Sequence, residues 1–271
     1  MSFRAEKDVA AAVAVQAGLI IQLHAGRLRR GEVWEKGIHD LVTAADLEVQ
    51  AFIVEQLQRA FPAYGFLAEE GEGQQAFETS GESCRWIIDP IDGTTNFTHG
   101  MPPYAVSIAL QCGEEIVVGV VYDVARQELF TASRGEGLYV NGVRRQVSKR
   151  KALHECLIAT GFPYREFSYV DTYLEVLKTF MHRTQGVRRP GAASIDLAYL
   201  ASGRVDGFFE AGLSAWDVAA GICLIQEGGG MVSDFHGGNQ YLFGRQIVAS
   251  NGLIHDEMLT IVEPLAHELP V

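Results

Sequence analysis

The dozen residues Trp86-Ile-Ile-Asp-Pro-Ile-Asp-Gly-Thr-Thr-Asn-Phe97 carry the densest chemistry in this chain. Asp89 and Asp92 follow a short apolar run, and Gly93, Thr94 and Thr95 make a small polar turn able to open a helix. Carboxylates bind hard divalent cations through oxygen. Amides exposed at a helix start favour an anion. Acids followed at once by such amides suit a site that holds divalent metal and phosphate together. Two carboxylates this close repel unless a cation compensates them, and a buried, uncompensated pair is costly.

Further acids can join them. Asp46 lies at the start of a helix, Glu69 and Glu70 end the apolar stretch Tyr64–Ala68, and Asp217 sits in Ser214-Ala-Trp-Asp-Val-Ala-Ala-Gly221. Each also has a plain structural reading. Asp46 stands three residues after Thr43, where a capping-box acid would stand. Asp217 near a helix N-terminus suits the macrodipole. Glu69 and Glu70 alone read as a solvated turn. The chain has no GxxxxGK[ST] phosphate loop, no GxGxxG opening a helix after a strand, and no GxSxG elbow. Its eight histidines show no HExxH pairing.

These residues need a scaffold. With 271 residues, 48% apolar and 21% charged, the chain suits one large domain or two closely packed ones. A formal net charge of −12 disfavours nucleic acid, which requires basic surface. It equally disfavours anionic substrates unless cations are recruited. The four cysteines form no CxxC and read as free, mostly buried thiols in a reducing compartment. The apolar run Val9–Ile21 is too short to span a bilayer, and Glu6 and Asp8 occupy what would be a basic leader. The expectation is a soluble, cytoplasmic protein with no membrane partner.

The hydrophobic pattern predicts a helix over residues 5–29, ended by Arg27, Arg29, Arg30 and Gly31. A loop over 32–42 contains Lys36, Gly37 and Asp40, and a second helix runs from about Ala44 to Phe61. Residues 71–83 read as a surface loop. Strands follow at Arg85–Ile88, Ala105–Gln111, Ile116–Tyr122, Glu128–Ala132 and Gly137–Val140, closed by the Asn141-Gly142 turn signal. Later strands near Leu157–Thr160, Gly207–Glu210, Met231–Asp234 and Ile247–Ser250 alternate with helices near 168–183, 192–202, 216–228 and 253–263. Residues 1–143 therefore read as an α+β half carrying the acid and Gly-Thr-Thr motif suited to metal and phosphate, and 144–271 as an α/β half. Together they form one catalytic unit.

Assembled, these motifs resemble the inositol monophosphatase family, within the metal-dependent, lithium-sensitive phosphatase superfamily. The carriers are Asp40-Leu-Val-Thr-Ala-Ala-Asp46, Ala68-Glu-Glu70, the Trp86–Phe97 motif and Trp216-Asp-Val-Ala-Ala-Gly221. The segment Leu197-Ala-Tyr-Leu-Ala-Ser-Gly-Arg-Val-Asp-Gly-Phe-Phe-Glu210 resembles the bacterial branch. The resemblance implies a layered αβαβα sandwich, usually a homodimer, that hydrolyses a phosphate monoester with two Mg²⁺ and a weaker third. It implies Glu69, Asp89, Asp92 and the Ile91 carbonyl as ligands of the first metal. Asp92 and Asp217, with Asp89 bridging, would hold the second, and Asp46 would stand near the third. Thr94 with Glu69 would orient the attacking water. The amides of Gly93 and Thr94 would bind phosphate, and Glu210 with the Gly191–Ala193 turn would face the alcohol, which makes residues 144–271 the substrate-binding half. Lys36 would belong to a loop beside the metals. Inositol 1-phosphate is the substrate the family suggests, although the Gly191-Ala-Ala-Ser194 turn and Ser214 depart from its usual pattern. Sugar bisphosphates, 3′-phosphonucleotides and histidinol phosphate are the alternatives, with Arg188-Arg189 as the one candidate clamp for a second phosphate. A regulatory binding protein on the same fold is the reading from another class.

Overall fold

The computed structural model describes residues 2–26, 33–37, 40–70, 83–164 and 166–269. The helix α1 (Arg4–His24) is followed by a hairpin of β1 (Val33–Gly37) and β2 (Asp40–Thr43), and then by α2 (Ala44–Ala60). Next come β3 (Gly65–Ala68), β4 (Cys84–Asp92) and the short helix α3 (Thr94–Thr98). A meander continues through β5 (Ala105–Cys112), β6 (Glu115–Asp123), β7 (Glu128–Ser133), β8 (Gly137–Val140) and β9 (Val143–Arg145). The second half alternates strand and helix: β10 (Leu157–Thr160), α4 (Val170–Arg183), β11 (Gly186–Arg188), α5 (Ala193–Ala201), β12 (Gly207–Ala211) and α6 (Ala215–Glu227). It closes with β13 (Met231–Ser233), β14 (Gln246–Ser250) and α7 (His255–Ala266).

The strands form a seven-stranded sheet, ordered β3-β4-β5-β6-β7-β8-β9, and a five-stranded sheet, ordered β11-β10-β12-β14-β13. Strand β4 shows how the layers arise. Trp86 and Ile88 pack with α1 and α2, whereas Ile87 between them packs with α5 and α6. Successive strand residues face opposite sides, and here both sides are covered, so β4 reads as a continuous apolar run rather than an alternating one. Helices α5 and α6 lie between the sheets, touching Val121 and Phe130 of the first and Phe208 and Ala249 of the second. Helices α4 and α7 cover the outer face of the second sheet around Phe180, Phe209 and Met258. The result is the expected αβαβα sandwich. No helix among the described residues is long and apolar enough to cross a membrane.

Several expectations change. The loop predicted over 32–42 contains the β1–β2 hairpin, in which Trp34 pairs with Val42 and Glu35 with Leu41. Each strand is too short, and too mixed with charge, to show a period. Helix α1 ends at His24 rather than near residue 29, with Gly26 in the left-handed region at φ +69°, a conformation glycine adopts freely after a helix. Arg27, Arg29, Arg30 and Gly31 lie outside the described residues, as do residues 71–82 of the predicted loop. The strands β3, β9 and β11 were not anticipated; each is an edge or near-edge piece of three or four residues. Cys84 and Cys112 are not free thiols. They stand opposite each other on the β4–β5 ladder and are joined in a disulfide. Strand pairing makes neighbours of residues 28 apart in sequence. Cys156 and Cys223 are free and buried.

Candidate active site

The site begins with a register shift in β4. Asp89 pairs with Ser107 and Asp92 with Ala105, with a bulge between them. In a regular strand, residues three apart point to opposite faces. The extra residue of the bulge re-aims the chain, and both carboxylates reach one cavity of about 260 Å³. Asp217 joins them from the first turn of α6, where its Oδ2 accepts the Ser214 backbone N–H at 2.6 Å. The Ser107 hydroxyl donates to the Trp216 carbonyl at 3.3 Å, tying the start of α6 to the strand opposite Asp89. Asp89, Asp92 and Asp217 each place a carboxylate oxygen within 4.8 Å of the others.

Asp89 is 2% exposed and Asp92 7%. Asp89 Oδ1 is buried without a hydrogen-bond partner among the described residues. Burial pushes the Asp89 carboxyl well above its ordinary value, and the charges of Glu69, Asp92, Asp217 and Asp46 push it further. Burial also raises Asp92, against the opposing hydrogen bonds from Ser194 and Ala193. Asp92 Oδ2 accepts the Ser194 N–H at 2.7 Å and the Ser194 hydroxyl. An orphaned buried oxygen amid three converging acids is the environment a hard, oxygen-seeking divalent cation fits.

Asp46 performs the capping role that its spacing allowed and also reaches toward the cavity. Its Oδ2 accepts the Thr43 backbone N–H at 2.8 Å, closing a capping box on α2. Its other oxygen lies 3.4 Å from the Thr94 hydroxyl, which is also 3.0 Å from the Ile91 carbonyl and donates its one proton to either. Asp46 is fully buried, and burial raises its carboxyl to about 6.

The turn after Asp92 favours glycine. Gly93 stands at φ +89°, and a Cβ there would meet the Pro103 carbonyl at 3.1 Å and the Gly191 carbonyl at 3.2 Å. Asn96 donates to the Pro103 carbonyl at 2.8 Å and to the Pro190 carbonyl at 2.9 Å, fixing α3 against the turn that carries Gly191. A left-handed alanine costs about 1–2 kcal/mol before any contact. A displacement of about 1 Å at a reacting centre can cost about a hundredfold in rate. Gly93→Ala makes its neighbours give by a few tenths of an ångström, and is therefore expected to lower kcat/KM for phosphate release roughly tenfold, with a loss of about 1–2 kcal/mol in stability. Steady-state kinetics beside a melting curve checks this; unchanged kinetics would show that the turn does not position the reaction.

Of the residues singled out in the sequence, Glu69, Asp89, Ile91, Asp92, Gly93, Thr94, Gly191, Ala193, Glu210 and Asp217 all line the cavity. Asp46 sits behind it. Glu69 stands outside the three-acid cluster yet is the first charged neighbour raising Asp89. Lys36 lies on β1, and its side chain falls outside the described residues. The Arg188-Arg189 pair divides: Arg189 lines the cavity, whereas Arg188 donates to the neighbouring Val187 carbonyl on the exposed surface. Sequence reasoning missed Asp196. It is 2% exposed, belongs to the first turn of α5 and lines the same cavity. Its signal was a lone charge in the otherwise apolar Ala193-Ser-Ile-Asp-Leu-Ala-Tyr-Leu-Ala201.

Residues 5–267 match the model of the inositol monophosphatase family. The chain is 45% identical over 261 residues to Nus factor SuhB of Pseudomonas aeruginosa, covering 95% of each. It is 43% identical over 256 residues to inositol-1-monophosphatase of Mesorhizobium japonicum, covering 94% of this chain and 95% of that one. Among solved structures, the extragenic suppressor protein suhB from Bartonella henselae superposes with a TM-score of 0.88 at 41% identity, over 96% of this chain and 98% of that one.

Proposed function

Because the chain belongs to the inositol monophosphatase family, we propose that it is a Mg²⁺-dependent phosphomonoesterase acting on a polyol monophosphate of the inositol phosphate type. The observation that carries this reading is the convergence of Asp89, Asp92 and Asp217, with ligand atoms within 4.8 Å of one another, directly before the Gly93–Thr94 turn. Asp89, Asp92 and Asp217, with Glu69 and the Ile91 carbonyl, would hold two Mg²⁺. When bound, the ions neutralise charge on the phosphoryl oxygens and acidify water.

The remaining work belongs to the protein. The amides of Gly93 and Thr94 would bind the phosphoryl oxygens, as amides at a helix start can because they lack an acceptor within the helix. The Thr94 hydroxyl, backed by Asp46, and the Glu69 carboxylate orient a water for in-line attack. Its oxygen bonds to phosphorus as the phosphorus–alkoxide bond breaks, and the proton the water gives up to solvent is matched by the one the alkoxide takes from solvent to leave as the alcohol. Phosphoryl transfer needs charge neutralisation and positioning above all, so no covalent nucleophile is required. Glu210, Gly191 and Ala193 line the side from which the alcohol leaves.

Charge favours a monoester. Six acids line the cavity (Glu69, Asp89, Asp92, Asp196, Glu210 and Asp217), and Arg189 is the one basic residue among its described lining. A second phosphate would meet a net negative wall with one guanidinium. A regulatory reading draws on relatives named Nus factor SuhB, which match as well as those named inositol-1-monophosphatase. A binding role is compatible with catalysis, and the intact acid set supports catalysis.

The test is phosphate release from a panel of inositol, glycerol, sugar and nucleotide mono- and bisphosphates, with Mg²⁺ and with a chelator. Mg²⁺-dependent release with polyol monophosphates fastest is expected. A preference for bisphosphates would replace the substrate class, and no Mg²⁺-dependent release from any ester would leave only the binding role.

A further inference from the structure

We propose that Asp196 is a specificity residue that reads a hydroxyl of the leaving alcohol, forming with Glu210 a two-carboxyl recess that selects polyol monophosphates over esters without hydroxyls. The inference rests on the phosphomonoesterase reading and extends it to a residue that the metal and phosphate chemistry leaves unused.

Asp196 has no part in the three-acid cluster. It projects from the first turn of α5, just after the Gly191–Ala193 turn, and lines the cavity beside Glu210 of β12. Both residues are buried, at 2% and 7% exposure. Asp196 Oδ1 has no hydrogen-bond partner among the described residues. A buried polar oxygen is almost always satisfied, and leaving one unpaired is costly. An unpaired buried oxygen on a substrate cavity is therefore a group that awaits a ligand. The fold also clears space for its neighbour: a Cβ on Gly161 would overlap the Glu210 carboxyl.

The chemistry of the occupant follows from charge. Arg189 is the one basic group among the described residues lining the cavity, and Glu210 and Asp92 are the charges that raise Asp196 beyond its burial. Burial likewise holds Glu210 at about 8. A carboxyl accepts from a hydroxyl in either protonation state, and donates to one as well when protonated. A neutral polyol satisfies both groups without bringing charge into the recess. A second phosphate would repel whichever carboxyl ionises. A site built around a substrate hydroxyl discriminates strongly against an analogue that lacks it, because the protein group is then left unpaired.

The experiment compares kcat/KM for inositol 1-phosphate and for p-nitrophenyl phosphate, whose leaving group carries no other hydroxyl, in wild type, Asp196→Ala and Asp196→Asn. Removing one buried hydrogen bond corresponds to about a tenfold change. Asp196→Ala is expected to lower kcat/KM for inositol 1-phosphate about tenfold, mostly through KM, and to leave p-nitrophenyl phosphate within about twofold. Asp196→Asn, which keeps a donor and an acceptor, is expected to restore much of the preference. An equal fall on both substrates would show a structural role, and an unchanged ratio would show no role; either overturns the inference. Should Asp196→Ala fail to fold, an unaltered substrate ratio in Asp196→Asn and Asp196→Ser together would overturn it as well. The phosphomonoesterase reading fails separately, through the absence of Mg²⁺-dependent release of either ester by the wild type. Turnover of p-nitrophenyl phosphate with none of inositol 1-phosphate counts against the recess and the polyol substrate class, and leaves the phosphomonoesterase activity standing.

Discussion

Asp92→Asn lowers Mg²⁺-dependent phosphate release by about a thousandfold, while the metal-free protein melts no lower than wild type. Removal of one ligand from a charge-neutralising site withdraws several kcal/mol of transition-state stabilisation, and each 1.4 kcal/mol is about tenfold. The fold is expected to tolerate the change because Asp92 contributes no net stability in the absence of a cation. Its carboxyl is raised by burial, so its ionised form is already disfavoured. An asparagine oxygen can still accept the Ser194 N–H that now reaches Oδ2 at 2.7 Å, and the loss of one charge relieves Asp89. Thermal melting with and without Mg²⁺ should show the separation: the rise on metal addition shrinks in the variant, as expected when a ligand binds only the folded state. Near-normal turnover in Asp92→Asn would contradict the assignment of Asp92.

The metal-free protein is expected to be more stable at about pH 5.5 than at about pH 8. Asp46 is raised to about 6 and Glu210 to about 8, chiefly by burial, and Asp89, Asp92 and Asp196 are raised as well. A carboxyl raised on folding binds its proton more tightly in the folded state. Its contribution is fully present below the ordinary carboxylate range and is lost as pH climbs through the raised value. Glu136 has the opposite sign: Lys7 and Ser133 hold it down at about 2, so its contribution is lost only as pH falls below the ordinary range. Between about pH 5 and 8 burial lowers His255 and so opposes them, but one histidine is set against several raised carboxyls, which govern the slope. With several groups involved, the difference is on the order of several kcal/mol, or roughly 10 °C in melting temperature for a chain of this size. Mg²⁺ should reverse the trend by compensating the ionised acids, so that its stabilisation is larger at the higher pH. A metal-free melting temperature that stays level or rises from pH 5.5 to 8 would contradict the burial of these acids.

The chemistry was more legible in the sequence than the scaffold details. Asp89 and Asp92 stood out because two acids and a Gly-Thr-Thr turn follow an apolar strand, and nothing structural requires that order. What the sequence could not show was the bulge that turns both acids to one side, since it depends on pairing with β5. Asp46 remained ambiguous between cap and site because it is both: one oxygen closes the box with Thr43 and the other faces Thr94. Asp196 went unnoticed because a lone acid in a helix ordinarily faces solvent, and only the packing of α5 between two sheets buries it. The disulfide was missed because cysteines far apart in sequence become neighbours only once strand register is known. The short hairpin β1–β2 and the edge strands β3 and β11 lacked the length for a period to emerge.

The most direct test of the central claim, that Asp89, Asp92 and Asp217 converge to hold divalent metal beside the Gly93–Thr94 turn, is an anomalous-scattering crystal structure of the protein with Mn²⁺ and inorganic phosphate. The account predicts anomalous peaks within coordination distance of all three carboxylates, roughly 2.0–2.3 Å, with phosphate on the amides of Gly93 and Thr94. Three carboxylates without a peak under saturating Mn²⁺, or peaks ligated elsewhere, would contradict it.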